Sequence, residues 1–122
     1  MPNLTATELK AFVPARDFEL SKRFYEALGF VSPWSDETLA YFHHGNVAFF
    51  LQNFHVEQLA SNFMMHLLVE DVDAWHARIA EAGIAEQFQV KVSPVVLQPW
   101  RMRDFVIHDP SGVLWRIAQN VI

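Results

Sequence analysis

The clearest indication of the fold is the segment Asp17-Phe18-Glu19-Leu20-Ser21-Lys22-Arg23-Phe24-Tyr25-Glu26-Ala27-Leu28-Gly29-Phe30. Apolar residues recur within it at four-residue spacing, at Leu20, Phe24 and Leu28. That spacing is typical of one face of an α-helix. Asp17 is a residue type that caps helix N-termini, and Gly29 is the type that ends helices. The segment therefore predicts an amphipathic helix over residues 18–28.

The same pattern returns later in the chain. Asp71 follows Asp17 by 54 residues, and a glycine again ends the second helix pattern. A hairpin that follows the first helix repeats at a longer offset, since Gly112 follows Gly45 by 67 residues. Matches in the same order at two offsets indicate an internal duplication with an insertion between its parts.

Short extended stretches surround both helices. Strands are expected at 9–15, 30–35, 38–43, 47–52, 63–69, 87–92, 103–108 and 113–119. Residues 94–100 are expected to form a loop. The order strand, helix, three strands occurs twice, which predicts one α+β domain over residues 1–122. The domain consists of two modules, about 9–52 and 63–119, joined by residues 53–62.

Composition excludes several function classes. The 122 residues carry a net charge of −5, which argues against binding to the phosphate backbone of nucleic acids. There is no cysteine, which excludes disulfides and thiolate sites. The longest apolar run, residues 47–51, is too short to span a membrane, and no signal peptide is visible, so a cytoplasmic protein is expected. Eleven Phe, four Trp and two Tyr are enough to fill a core and to line a pocket.

The layout resembles the vicinal oxygen chelate superfamily, which includes glyoxalase I, bleomycin-resistance proteins, fosfomycin-resistance enzymes and extradiol dioxygenases. The resemblance extends from about Leu9 to Gln119 and rests on three motifs. They are the helix segment quoted above, Val69-Glu70-Asp71-Val72-Asp73 and Asp109-Pro110-Ser111-Gly112. The resemblance implies two βαβββ modules whose curled mixed sheets surround a shared cavity.

The resemblance also locates the positions that hold a metal ion in metalloenzymes of the superfamily. They lie seven residues before each helix-capping Asp and four residues after each turn glycine, at Lys10, Met64, Phe49 and Arg116. Lys and Arg are cations with no free lone pair, and the Met thioether suits soft metals. The resemblance therefore implies a member with no metal and no other cofactor, similar to the bleomycin-resistance proteins.

Five further residues are candidates for ligand binding: Phe12, Trp34, His66, Trp100 and Arg103. Strand alternation places Phe12 on the face of Lys10, and His66 on the face of Met64. Trp100 and Arg103 suit stacking and anion pairing. The alternatives are that His66 bonds to the backbone in the core, that Trp100 packs under its loop and that Arg103 is solvated.

The sequence thus predicts a homodimer that binds or sequesters a small aromatic or anionic organic molecule, with antibiotic resistance as the superfamily precedent. An anionic head would pair with Arg116, unless an acidic side chain of the protein satisfies that residue internally. The alternative function is a lyase, isomerase or dioxygenase-like enzyme. It would use either His66 as a metal-free acid or base or a metal site that this strand register misses.

Overall fold

A computed structural model describes residues 1–121, which form eight strands and four helices. The strands are β1 Phe12–Pro14, β2 Val31–Ser35, β3 Leu39–His44, β4 Val47–Gln52, β5 Met64–Leu68, β6 Val96–Leu97, β7 Met102–His108 and β8 Leu114–Asn120. The helices are α1 Phe18–Leu28, α2 Glu57–Ala60, α3 Val72–Glu81 and α4 Ile84–Phe88. Across the described range, every helix is too short or too polar to cross a membrane.

The strands form two four-stranded sheets with equivalent internal order. Sheet 1 runs β1-β4-β3-β2, and sheet 2 runs β5-β8-β7-β6. The edge strands β1 and β5 pair in parallel with β4 and β8, whereas the other pairs are antiparallel. The predicted α+β fold of two mixed sheets is confirmed, and both sheets remain open.

Helix α1 forms where predicted because both of its ends are capped. The Asp17 carboxylate accepts a hydrogen bond from the Leu20 N–H at 3.1 Å. Gly29 adopts the left-handed conformation, with φ of 110°, and ends the helix. Helix α3 begins in the same way, since Asp71 accepts from the Ala74 N–H at 3.0 Å.

A buried hydrogen-bond network joins α1 to the hairpin between β7 and β8. The Tyr25 hydroxyl donates to Asp109 Oδ2 at 2.5 Å and accepts from the Trp115 indole N–H at 2.9 Å. The other Asp109 oxygen accepts from the N–H groups of Ser111 and Val113. Each sheet packs one face against this core, which leaves the opposite faces available for a site.

The predicted strand at 87–92 is wrong, because the chain forms helix α4 over part of this range. Gly83 adopts a left-handed φ of 65° at the start of the new helix. Ile84 and Phe88 lie four residues apart and are both buried. Burial of this helical pair outweighs the polar-apolar alternation, and only a single bridge from Val92 to Ile107 remains of the expected strand.

Three smaller differences concern the ends of elements. Strand β1 is shorter than the predicted 9–15, because its pairing with β4 covers only three positions. The connection 53–62 contains the single-turn helix α2. The predicted loop at 94–100 contains β6, which pairs with β7 through Val96 and Leu97.

Candidate functional site

Four aromatic side chains cross the exposed face of sheet 1. Phe12 pairs with Phe50, Phe50 with Tyr41, and Tyr41 with Trp34, so each strand contributes one ring. Residues paired across neighbouring strands lie on the same face. Phe12 and Trp34 are 51% and 50% exposed, and the rings of Phe12 and Phe50 stack with centroids 4.9 Å apart. We call these four residues the aromatic row.

The corresponding positions of sheet 2 are mainly polar. His66 pairs with Arg116, and Arg116 pairs with Val106. Arg116 Nη1 donates to Asp104 Oδ2 at 2.9 Å, and the Gln98 amide donates to Oδ1 of the same carboxylate at 2.9 Å. Asp104 is only 2% exposed. The charge of Arg116 is therefore balanced within the sheet, which is the internal pairing that the sequence analysis left open.

A cleft of about 290 Å³ lies where the first half of β4 faces β5. Val47–Phe49 line one side and Met65–Leu68 the other, and Phe30 and Trp115 also contribute. Strand β1 pairs with β4 only from Phe50 onward, so this half of β4 has no strand neighbour on that side within the described chain. The cleft brings His66 beside apolar side chains of the first module.

Phe49 lies on the face of β4 opposite to the aromatic row. It is 1% exposed, and its ring packs against Phe42 at 5.5 Å and Tyr25 at 4.9 Å. Phe50, which is partly buried, lies on the outer face instead. It is the residue equivalent to Arg116, since the pair Phe12–Phe50 corresponds to the pair His66–Arg116 in sheet 2. The two hairpin turns differ in length. A position counted from the turn glycine is therefore displaced by one residue.

Four other predicted binding residues lie at three separate places. Lys10 lies beside the aromatic row, with Nζ 5.3 Å from the centroid of the Phe50 ring. Met64 and His66 are exposed on one face of β5. Trp100 is exposed between β6 and β7, and no ring of the aromatic row contacts it among the described residues.

Arg103 is directed away from Arg116. It neighbours Asp104 in β7, so its side chain lies on the other face of the strand. Its guanidinium donates to both carboxylate oxygens of Asp73 on α3, at 2.7 and 3.0 Å. These hydrogen bonds lower the pKa of Asp73 and raise the pKa of Arg103. The pairing joins α3 to sheet 2 and leaves Arg103 outside the exposed faces.

Tyr41 and Phe50, which form the centre of the aromatic row, are not among the binding residues predicted from the sequence. The available signal is strand alternation. Ala40 and Phe42 are buried, so the residue between them lies on the outer face. Counting from the turn glycine gives a register of β4 that is wrong by one residue. The pairing of β4 with β1 determines the correct register.

The residues at the superfamily's metal positions do not fit a divalent ion. Lys10 forms an ion pair with Glu8 at 3.2 Å, and Arg116 with Asp104. If the corrected register assigns this metal position to Phe50 rather than Phe49, the residue is still a phenylalanine and has no metal-binding atom. Over residues 1–121, no three or more His, Asp or Glu side chains are grouped so that they could hold a metal. The donor chemistry of these positions therefore does not support metal-dependent catalysis.

Comparisons with known proteins agree with this geometry. The family described as the Glyoxalase/Bleomycin resistance protein/Dioxygenase superfamily matches residues 9–117. A bleomycin resistance protein of Klebsiella pneumoniae is 29% identical over 111 residues, which cover 88% of each chain.

Solved structures share the fold over nearly the whole chain. A bleomycin-binding protein complexed with bleomycin superposes with a TM-score of 0.82 at 27% identity, over 94% of this chain and 99% of the other. TnmS3, an antibiotic-binding protein from Streptomyces sp. CB03234, has a TM-score of 0.77 at 23% identity. That comparison covers 98% of this chain and 99% of TnmS3, and shows the shared fold.

Proposed function

The chain belongs to the Glyoxalase/Bleomycin resistance protein/Dioxygenase superfamily, and we propose that it binds and sequesters a small organic molecule with an aromatic body, without a metal and without turnover. The aromatic row is the observation that carries this proposal. Its four rings lie side by side on the outer face of sheet 1, where Phe12 and Trp34 are half exposed. Aromatic rings bind planar ligands through offset or edge-to-face contacts and through burial of apolar area.

The charge distribution favours the aromatic body of the ligand over an anionic head. Each predicted cation already has a carboxylate partner: Lys10 with Glu8, Arg103 with Asp73 and Arg116 with Asp104. An anionic ligand would have to compete with a carboxylate at every one of these positions. Stacking on Phe12 and Trp34, the half-exposed ends of the aromatic row, displaces no carboxylate.

The similar proteins support a small organic ligand. The 27% identical structure has bleomycin bound, and the 29% identical relative is a bleomycin resistance protein. Both match almost the full length of this chain, so the support applies to the whole domain. Bleomycin is therefore the first compound to test, within a panel of aromatic antibiotics.

The proposal includes a homodimer. Both sheets are open, and their exposed faces carry large apolar side chains such as Trp34, Met64 and Leu68. Exposed apolar faces of this kind and free edge strands favour association with another chain. A second copy would cover these surfaces and enlarge the cleft between β4 and β5.

The enzyme alternative depends on His66. Its side chain is exposed on β5, and among residues 1–121 no carboxylate hydrogen-bonds to its ring. A general base usually needs a group that fixes its orientation and its proton affinity. His66 therefore contributes one polar contact to the cleft in this proposal.

A thermal-shift screen of aromatic antibiotics, including bleomycin, tests the proposal. A ligand at 100 times its dissociation constant should stabilise the fold by about 2.7 kcal/mol. Hits are then incubated with the protein, with and without EDTA, and analysed by mass spectrometry. The proposal predicts EDTA-insensitive binding and unchanged ligand. Product formed over many turnovers would support the enzyme alternative, and absence of any binding would contradict both.

A further inference from the structure

Two side chains from the segment before β1 already occupy the aromatic row. Lys10 Nζ lies 5.3 Å from the centroid of the Phe50 ring and 6.0 Å from that of Tyr41. The Glu8 carboxylate contacts both the Lys10 ammonium and the Tyr41 hydroxyl. One of its oxygens is 3.2 Å from Lys10 Nζ, and the other accepts a hydrogen bond from the Tyr41 hydroxyl at 3.2 Å.

These contacts determine where the end of the segment lies. Residues 1–9 are exposed, including the large apolar side chains of Leu4 and Leu9. Within the described chain, the Tyr41–Glu8 bond is the side-chain hydrogen bond that joins residues 1–10 to the remainder. The segment is therefore held on the sheet by one ammonium over two rings and by one carboxylate on a phenol.

Both contacts have a clear physical basis. An ammonium is attracted to the negative face of an aromatic ring. Partial desolvation of the Tyr41 ring, together with the hydrogen bond to Glu8, raises the pKa of Tyr41. The phenol therefore keeps its proton under ordinary conditions and can donate it to Glu8.

We propose that Glu8 and Lys10 form a strap that covers Tyr41 and Phe50 in the unliganded chain and is displaced when a planar molecule stacks on these rings. This inference rests on the proposed function, because the ammonium and the ligand compete for the same ring faces. A binding surface that is covered for part of the time has a lower apparent affinity in proportion to its uncovered fraction. The strap thus sets the affinity of the aromatic row.

The first experiment measures binding of N-phenyl-1-naphthylamine, a neutral fluorescent aromatic probe, so that charge attraction does not affect the comparison. Lys10→Ala removes the ammonium and its stem, and should tighten probe binding about threefold or more. Lys22→Ala is the matched control. Lys22 also pairs with a glutamate and lies over a ring, at 4.9 Å from the Phe18 centroid, but it belongs to α1. Its replacement should leave the affinity unchanged.

An unchanged or weaker affinity in Lys10→Ala would overturn the proposal, because Lys10 would then not compete with the ligand. The same applies if Lys22→Ala tightens binding equally. If neither wild type nor Lys10→Ala binds the probe, the release step is overturned and the aromatic row loses its support as the binding surface.

A second measurement follows the strap itself by NMR. The Lys10 ε-methylene protons should be shifted upfield by the ring currents of Phe50 and Tyr41 in the unliganded protein. The shift should decrease in Phe50→Leu, where only the Tyr41 ring remains, and disappear on saturation with the probe, whereas the Lys22 protons over Phe18 keep theirs. Lys10 protons at unperturbed positions in the unliganded chain would show that no strap forms. Protons that stay shifted at saturation would show that it is not displaced.

Discussion

At the scale of single residues, the ion pair between Arg116 and Asp104 stabilises sheet 2. Asp104 is almost completely buried, and its carboxylate is held by Arg116 on one oxygen and by Gln98 on the other. A buried carboxylate without its cation is strongly unfavourable. The primary role of Arg116 in the isolated chain is therefore to compensate this carboxylate.

Replacing Arg116 with Met keeps much of the side-chain volume and leaves the Asp104 carboxylate unpaired. We expect the free energy of unfolding at neutral pH to fall by about 3–5 kcal/mol, as for other broken buried pairs. Urea denaturation measures the change. The double variant Asp104→Asn with Arg116→Met should recover a large part of the loss, because it removes the buried charge. Wild-type stability in the single variant would show that the ion pair contributes nothing.

At the scale of secondary-structure elements, the hydrogen-bond network between α1 and the β7–β8 hairpin makes the stability of the fold depend on pH. Burial raises the pKa of Asp109 above its ordinary value, although hydrogen bonds from Tyr25 and from backbone N–H groups oppose the shift. The folded protein therefore retains a proton that the unfolded chain releases. The resulting stability is complete below the ordinary aspartate pKa and declines as pH rises through the raised one.

Asp109→Asn removes this titration. We expect the difference in unfolding free energy, wild type minus variant, to decrease as pH rises above the ordinary aspartate pKa. Urea denaturation at a series of pH values, from below that pKa to neutral pH, measures it. Asp36→Asn provides a control of opposite sign. Hydrogen bonds from Thr38 and Leu39 lower the pKa of Asp36, so its difference should increase as pH rises. A difference for Asp109→Asn that does not depend on pH, or that rises with pH, would contradict the account of this network.

How far the sequence predicts each element depends on whether the signal is local. Helix α1 is predictable because its cap, its apolar spacing and its terminating glycine all lie within one segment. Helix α4 is not, because the burial that stabilises Ile84 and Phe88 comes from tertiary packing. The residues of the candidate site likewise divide into those predictable from local sequence and those that depend on tertiary pairing. Strand parity places Phe12 and His66 on exposed faces, but Phe50 requires the pairing of β4 with β1, which no local pattern determines.

At the scale of the whole molecule, the two modules share a strand order but carry different surface chemistry. Sheet 1 exposes the aromatic row, whereas the matching positions of sheet 2 hold His66, the paired Arg116 and Val106. A repeated fold with two different faces can bind a ligand that has an aromatic body and a polar part. In the proposed homodimer, a second copy would help to enclose such a ligand.

Sedimentation equilibrium at micromolar concentration tests the homodimer. We expect a mass about twice the 14.1 kDa of one chain, because association covers the open sheet faces and their exposed apolar side chains. Leu68→Glu, at an exposed position of β5, should weaken the association, whereas Leu4→Glu in the N-terminal segment serves as a comparison. A single 14.1 kDa species over the full concentration range would contradict the prediction.

The most direct test of ligand binding by the aromatic row is calorimetric titration of bleomycin, or of the tightest hit of the screen, into wild type, Phe50→Leu and Phe54→Leu. Phe50 lies at the centre of the row, whereas Phe54 is exposed outside it. Loss of ring stacking should weaken binding by Phe50→Leu about tenfold, or about 1.4 kcal/mol, while Phe54→Leu binds as wild type. Equal dissociation constants for wild type and a folded Phe50→Leu variant would contradict the claim that this row binds the ligand.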